Sequence, residues 1–157
     1  MTRFARNGLP EATARGERNP QANGVPPPSG SFAAWFAEVR VDVDLGLVRV
    51  ALIVVAVDAG RILNEKLARS QMIGGAVMGI GMTLLEETVF DPESGRIANA
   101  TFGDKLIPAN ADVADVDVVF VGEPDPVRPI GIKGLGEIGV VGVSAAIANA
   151  VYRHLIS

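Results

Sequence analysis

From Trp35 the chain alternates, with Ala37, Val39, Val41 and Val43 set between Glu38, Arg40, Asp42 and Asp44. This two-residue period predicts a half-buried β-strand. Asp44-Leu45-Gly46 supplies a reversal, and Val48 to Val57 is so uniformly apolar and β-branched that it predicts a strand covered on both faces, at the centre of a sheet. The period then changes. Asn64 is placed to cap a helix that begins at Glu65 and runs through Leu67, Met72, Ile73, Ala76, Val77, Ile80 and Leu84 towards Glu87. Asp91 to Gly95 predicts a turn between two short strand-like pieces, and Val116 to Val121 a further strand. Pro124, Pro126 and Pro129 make the next connection irregular, and a second helix follows from about Gly139 with Val140, Val143, Ile147, Val151 and Leu155 on one face. No segment repeats. These elements predict an α+β domain over residues 31–157, a mostly antiparallel sheet containing Trp35 to Val57 packed against two main helices near 65–87 and 139–155.

Composition adds limits. Residues 1–30 hold five of the ten prolines and the pairs Asn7-Gly8 and Asn23-Gly24, which predicts an extended arm. The 157 residues suffice for one domain with its own core. With no cysteine, the chain has no disulfide, thiolate metal site or iron–sulfur ligation of its own, and any redox centre must come from elsewhere. A formal charge of −4 argues against a nucleic-acid surface and for small molecules or proteins as partners. No long apolar run free of charged and polar residues suggests a membrane span, and the basic start Met1 to Arg6 lacks the apolar stretch of a secretory signal. Cytoplasm is the default location.

The segment with most chemical content is Gly131-Ile132-Lys133-Gly134-Leu135-Gly136-Glu137-Ile138-Gly139, a lysine and a carboxylate in a glycine-rich loop before a helix. Such a loop lets a ligand approach the backbone, and the amides at the helix start favour an anionic or electron-rich group. Its bland alternative is a tight turn in which Glu137 merely complements the helix dipole. Gly134 to Gly139 also spells G-x-G-x-x-G, but a proline-rich connection precedes it and the chain stops at Ser157, so the strand and the acidic residue about twenty positions further on that a dinucleotide site needs are missing. Inside the first helix, Gly74, Gly75, Gly79 and Gly81 each cost roughly 1 kcal/mol against alanine, which calls for either close helix packing or a ligand against the backbone. Glu86-Glu87 reads as a solvated helix end and His154 as a dipole contact in the last helical turn. No metal-ligand cluster or nucleophile triad stands out.

Taken together and in this order, Ser31-Phe32, Glu38 to Asp42, Gly60 to Asn64, Gln71 to Gly81, Leu106-Ile107-Pro108 and Lys133 to Ala150 resemble the C-terminal half of the molybdenum-binding subunit of the xanthine dehydrogenase and aldehyde oxidase family. The resemblance is strongest to its bacterial aldehyde dehydrogenase branch. It implies a molybdenum-molybdopterin cofactor, with the cytosine dinucleotide form left open, and oxidative hydroxylation of an aldehyde or aromatic N-heterocycle with oxygen from water. Glu137 would be the general base, a positioned carboxylate in a partly dry site. Gln71, Gly74, Gly75 and Gly79 would lie against the cofactor together with Lys133, Gly134, Leu135 and Gly136, and the chain itself would ligate no metal. Many family members carry glutamine at the place of Met78, so that side-chain hydrogen bond is absent here. The chain is far shorter than a full molybdenum subunit, which implies that it is inactive alone. Its expected partners are the remainder of that subunit and iron–sulfur and FAD subunits or domains, with location in the periplasm open through a partner and homo-oligomers expected of the isolated chain. The rival reading is a non-catalytic, self-associating interaction module.

Overall fold

The computed structural model describes residues 30–156, together with the backbone of Thr2–Phe4 (β1) and Ala12–Ala14 (β2), which pair antiparallel. The rest of the expected arm over residues 1–30 lies outside the described residues. The main sheet has three strands in the order β3 (Phe32–Asp42), β4 (Leu47–Asp58), β5 (Asp115–Val121). β3 and β4 form the expected hairpin, with Phe32 opposite Asp58 and Asp42 opposite Leu47, and a register shift at Glu38/Val39 takes up one extra β4 residue. Asp42 Oδ1 closes the turn by accepting from the N–H groups of Asp44 and Leu45 at 3.1 and 3.0 Å.

β4 is central, as its composition suggests, but β5 runs parallel to it, from Leu52 beside Asp115 to Asp58 beside Val121. The expected α+β class is borne out, with a mixed main sheet of one antiparallel and one parallel pair. A long crossover through a helix brings the chain back to the same end of the sheet, and that connection forces the parallel direction. The strand-like pieces around Asp91 to Gly95 amount to one bridge between Phe90 and Ile97 within this crossover.

That crossover begins with α1 (Glu65–Leu84), three residues shorter than the expected end at Glu87. Asn64 caps it, its Oδ1 accepting from Leu67 N–H at 3.0 Å. Asn64→Ala should cost about 1 kcal/mol, read as a fall of roughly 2–4 °C in the melting midpoint. Beyond the helix, Glu86 pairs with Lys105 at 3.6 Å and Glu87 is exposed. The second predicted helix is two pieces, α2 (Ile138–Val141) and α3 (Val143–Ile156), interrupted at Gly142. The break lies where a Cβ on Gly142 would come within 2.2 Å of the Trp35 ring. By length and composition Ile138–Leu155 could cross a membrane, yet it buries Val143 and Ile147 completely in the protein core.

All three helices cover one face of the sheet. Ile53 from β4 packs with Ala76 and Ile80 of α1 and Val143 and Ile147 of α3, while Val55 and Val57 pack with Met72 and with Val118 of β5. Trp35 joins both clusters. Arg69 ties α1 to the sheet, donating to Val118 O at 2.8 Å and standing 5.6 Å over the Phe120 ring. The opposite face does not match the expectation for Val48 to Val57. Leu52, Val54 and Ala56 remain half-buried there, beside exposed Phe32, Phe36, Val119 and Val121. A β-branched central strand with a parallel neighbour is built for cover on both faces, and the described residues provide it on one.

Candidate active site

Lys133 to Glu137 connects the sheet end to α2 without regular structure. It is tethered from several elements. Gly60, in a left-handed conformation (φ 65°), brings the chain after β4 against Gly131, so close that a Cβ there would stand 2.5 Å from Gly131 O. Lys133 N–H then donates to Ala59 O at 3.0 Å, and Lys133 Nζ donates to Asp58 Oδ2 at 2.9 Å. Asp58 Oδ1 accepts from Gly60 N–H at 2.9 Å. Ser31 Oγ donates to Gly134 O and Gln71 Nε2 to Gly136 O, the latter at 2.7 Å. Leu135 packs against the cluster of Val55, Val57 and Met72.

The Lys133 hydrogen bond, reinforced by that from Gly60, holds the Asp58 carboxyl below the usual carboxylate range. A depressed folded pKa means that this stabilisation is complete above the unfolded pKa and is lost as pH falls through the lowered folded value. Asp58→Asn should therefore cost about 1.5 kcal/mol at neutral pH. The gap to the native chain should close on acidification below about pH 4, measured by urea melts across pH.

At the end of this tethered loop Glu137 is exposed, and it lines an open cleft of about 690 Å³ together with Phe32, Ala33, Trp35 and Gly136. The partly dry setting expected for it is not supplied by the described residues, because the cleft is open and Glu137 is exposed in it. Gly134 and Gly136 have no left-handed φ and no atom within 4 Å of where a Cβ would lie. Among the described residues, neither packing nor backbone conformation requires glycine at these two positions, so their bare backbone faces the open cleft. Among the described residues, the N–H groups of Gly134, Leu135, Gly136 and Glu137 donate to no acceptor.

The other expected cofactor contacts divide. Gly74 is exposed, with nothing within 4 Å of where a Cβ would lie, and it belongs to an outward stripe with Leu67, Gln71, Met78 and Met82. Gly75 and Gly79 are turned to the neighbouring helices, where a Cβ would stand 2.4 Å from Gly139 C and 2.5 Å from Val143 Cβ. Their missing side chains are used for helix packing, the bland alternative. Gln71 and Lys133 spend their polar groups on Gly136 and Asp58, and the Leu135 side chain points into the core. The sequence alone does not single out Ser31 and Asp58 for this role, since their partners lie 103 and 75 residues away and no local pattern pairs them. No group of three or more potential metal ligands occurs among the described residues.

A mixed sheet backed by helices, ending in a glycine loop that presents one carboxylate to a half-built cleft, describes one part of a cofactor-binding unit. The family model for the molybdopterin cofactor-binding domain matches residues 4–114, and the chain belongs to this family. It is 46% identical over 124 residues to the aldehyde oxidoreductase molybdenum-binding subunit PaoC of Escherichia coli, covering 78% of this chain and 17% of that protein. It is 38% identical over 121 residues to a putative xanthine dehydrogenase molybdenum-binding subunit of Escherichia coli, covering 77% of this chain and 16% of that one. Among solved structures, quinoline 2-oxidoreductase from Pseudomonas putida 86 superposes with a TM-score of 0.70 at 34% identity, covering 76% of this chain and 16% of the other. The chain thus spans about a sixth of the length of the relatives it matches.

Proposed function

We propose that this chain forms one wall of the active site of a molybdenum hydroxylase, with Glu137 as its general base. One observation carries the reading: Glu137 lines an open cleft beside two glycines that nothing among the described residues requires. The bare backbone at Gly134, Gly136 and Gly74 fits a flat, polar cofactor, and these three would hold it, with Met78 offering apolar contact in place of a side-chain hydrogen bond. A bound molybdenum-molybdopterin, with its cytosine dinucleotide form as an alternative, would accept the two electrons released when an aldehyde or N-heterocycle C–H becomes C–OH with oxygen from water.

The chain's own part is proton handling and placement. The Glu137 carboxylate takes up the proton of the water-derived hydroxyl as its oxygen attacks the electrophilic carbon, a transfer that requires the carboxylate to be within hydrogen-bond reach. The hydrogen bonds on Gly134 O and Gly136 O tether the loop that carries it. Segments outside this chain exclude water from the cleft, cover the outer sheet face and complete the substrate pocket, so the chain alone is inactive. Iron–sulfur and FAD subunits or domains would carry the electrons onward. Self-association of the isolated chain is favoured by the exposed Phe32, Phe36, Val119 and Val121, and an oligomeric isolated chain fits this reading as well as the rival one of an interaction module. Glu137→Gln in the complete assembly separates the two: turnover lost with molybdenum and pterin retained supports the enzyme reading, and near-native turnover removes it.

A further inference from the structure

The side chain of Gln71 has no need of a cofactor to explain it. Its Nε2 donates to Gly136 O at 2.7 Å, across 65 residues of sequence, and Gly136 immediately precedes Glu137. The backbone of the same residue meets the other side of the turn, because a Cβ on Gly139 would lie 3.1 Å from Gln71 O, 3.3 Å from Met72 Cα and 3.4 Å from Gly75 Cα. One turn of α1 therefore holds the chain on both sides of Glu137, by a hydrogen bond at Gly136 and by close backbone packing at Gly139. Between these points Glu137 O accepts from Val140 N–H at 3.1 Å, which closes the first turn of α2. Ser31 adds a second clamp at Gly134 O from the start of β3.

We infer that Gln71 is a positioning residue for Glu137, acting through the Gly136 carbonyl rather than through contact with cofactor or substrate. The inference rests on Glu137 being the base. A loop containing two glycines has wide conformational freedom unless it is tied down, and an error of about 1 Å in placing a catalytic group costs on the order of a hundredfold in rate. A clamp at Gly136 removes that freedom next to the carboxylate.

Gln71→Glu tests it by replacing the donor with an acceptor of equal size. In the complete molybdenum-loaded assembly, kcat should fall by about tenfold to a hundredfold with KM within roughly twofold of native. Added to Glu137→Gln, the same substitution should cause no further loss. In the 157-residue chain itself, Val140 should exchange its amide hydrogen about tenfold faster than native, while Ile53 to Val57 in β4 keep native protection. The excess exchange should vanish below about pH 4, where the introduced carboxyl is protonated and can donate to Gly136 again. Unchanged exchange at Val140, lost protection in β4, or an equal further loss in the Glu137→Gln background overturns the positioning role. If Gln71→Glu turns over like native while Glu137→Gln is dead, this inference alone fails. If Glu137→Gln itself is active, the proposed function fails with it.

Discussion

Glu137→Gln should lower kcat of the complete assembly by about 10²–10⁴, the usual worth of general-base assistance, while molybdenum and pterin contents stay near native. The amide keeps the size and one acceptor of the carboxylate but cannot take up a proton. Because Glu137 is exposed at the lip of the cleft and its carboxylate holds no described partner, the exchange leaves the fold intact. Melting midpoint should therefore move by less than about 1 °C, since surface changes away from special contacts stay within about 0.5 kcal/mol. Steady-state kinetics with metal analysis on the same preparation checks both halves. Loss of molybdenum alongside activity would reassign Glu137 to holding the cofactor.

The second large effect concerns two adjacent glycines that should respond with opposite signs. Gly74→Ala places a methyl in open space on an exposed helix surface, so the isolated chain should gain about 1 kcal/mol from helix propensity alone. Gly75→Ala receives the same propensity gain, but its methyl would lie 2.4 Å from Gly139 C and 2.6 Å from Gly139 O, both backbone atoms that cannot rotate aside. α1 and α2 must separate there, and overpacking of this kind costs about 3 kcal/mol, for a net loss of about 2 kcal/mol. In thermal melts Gly74→Ala should rise by roughly 2–4 °C and Gly75→Ala fall by roughly 4–8 °C. Two equal shifts would mean that α1 does not pack on the turn after Glu137. In the complete assembly Gly74→Ala should instead weaken cofactor retention, because the open space it fills is the space proposed for the ligand.

Several features of the site are legible in the chain alone. The Lys133 to Gly139 loop stands out as a lysine and a carboxylate among glycines before a helix; Lys133 proves to be a structural tether on Asp58, and Glu137 lines a cleft. Glycines in the first helix announce an unusual neighbour, but not which kind. Gly74 and Gly75 are adjacent, and on a helix adjacent residues point about 100° apart, so one opens outward and the other meets a backbone. Without the location of α2 the two cannot be told apart. The family resemblance implies that Gln71 and Lys133 lie against the cofactor; what local sequence does not show is that their side chains also hydrogen-bond to distant segments of the same chain.

What the residue order determined by itself is everything that depends on neighbours a few positions away: the alternation of β3, the apolar run of β4, the reversal at Asp44-Leu45-Gly46, the Asn64 cap and the bare loop that ends in Glu137. Tertiary structure decided the parallel direction of β5, the Asp58–Lys133 pair, the Gln71 clamp and the outer sheet face that the described residues leave open. These rest on segments 65 or 75 residues apart meeting in space. A side chain's local preference is set by sterics and hydrogen bonding within one turn or one pair of strands, and it carries no information about which distant carbonyl or carboxylate the packed helices will bring within about 3 Å.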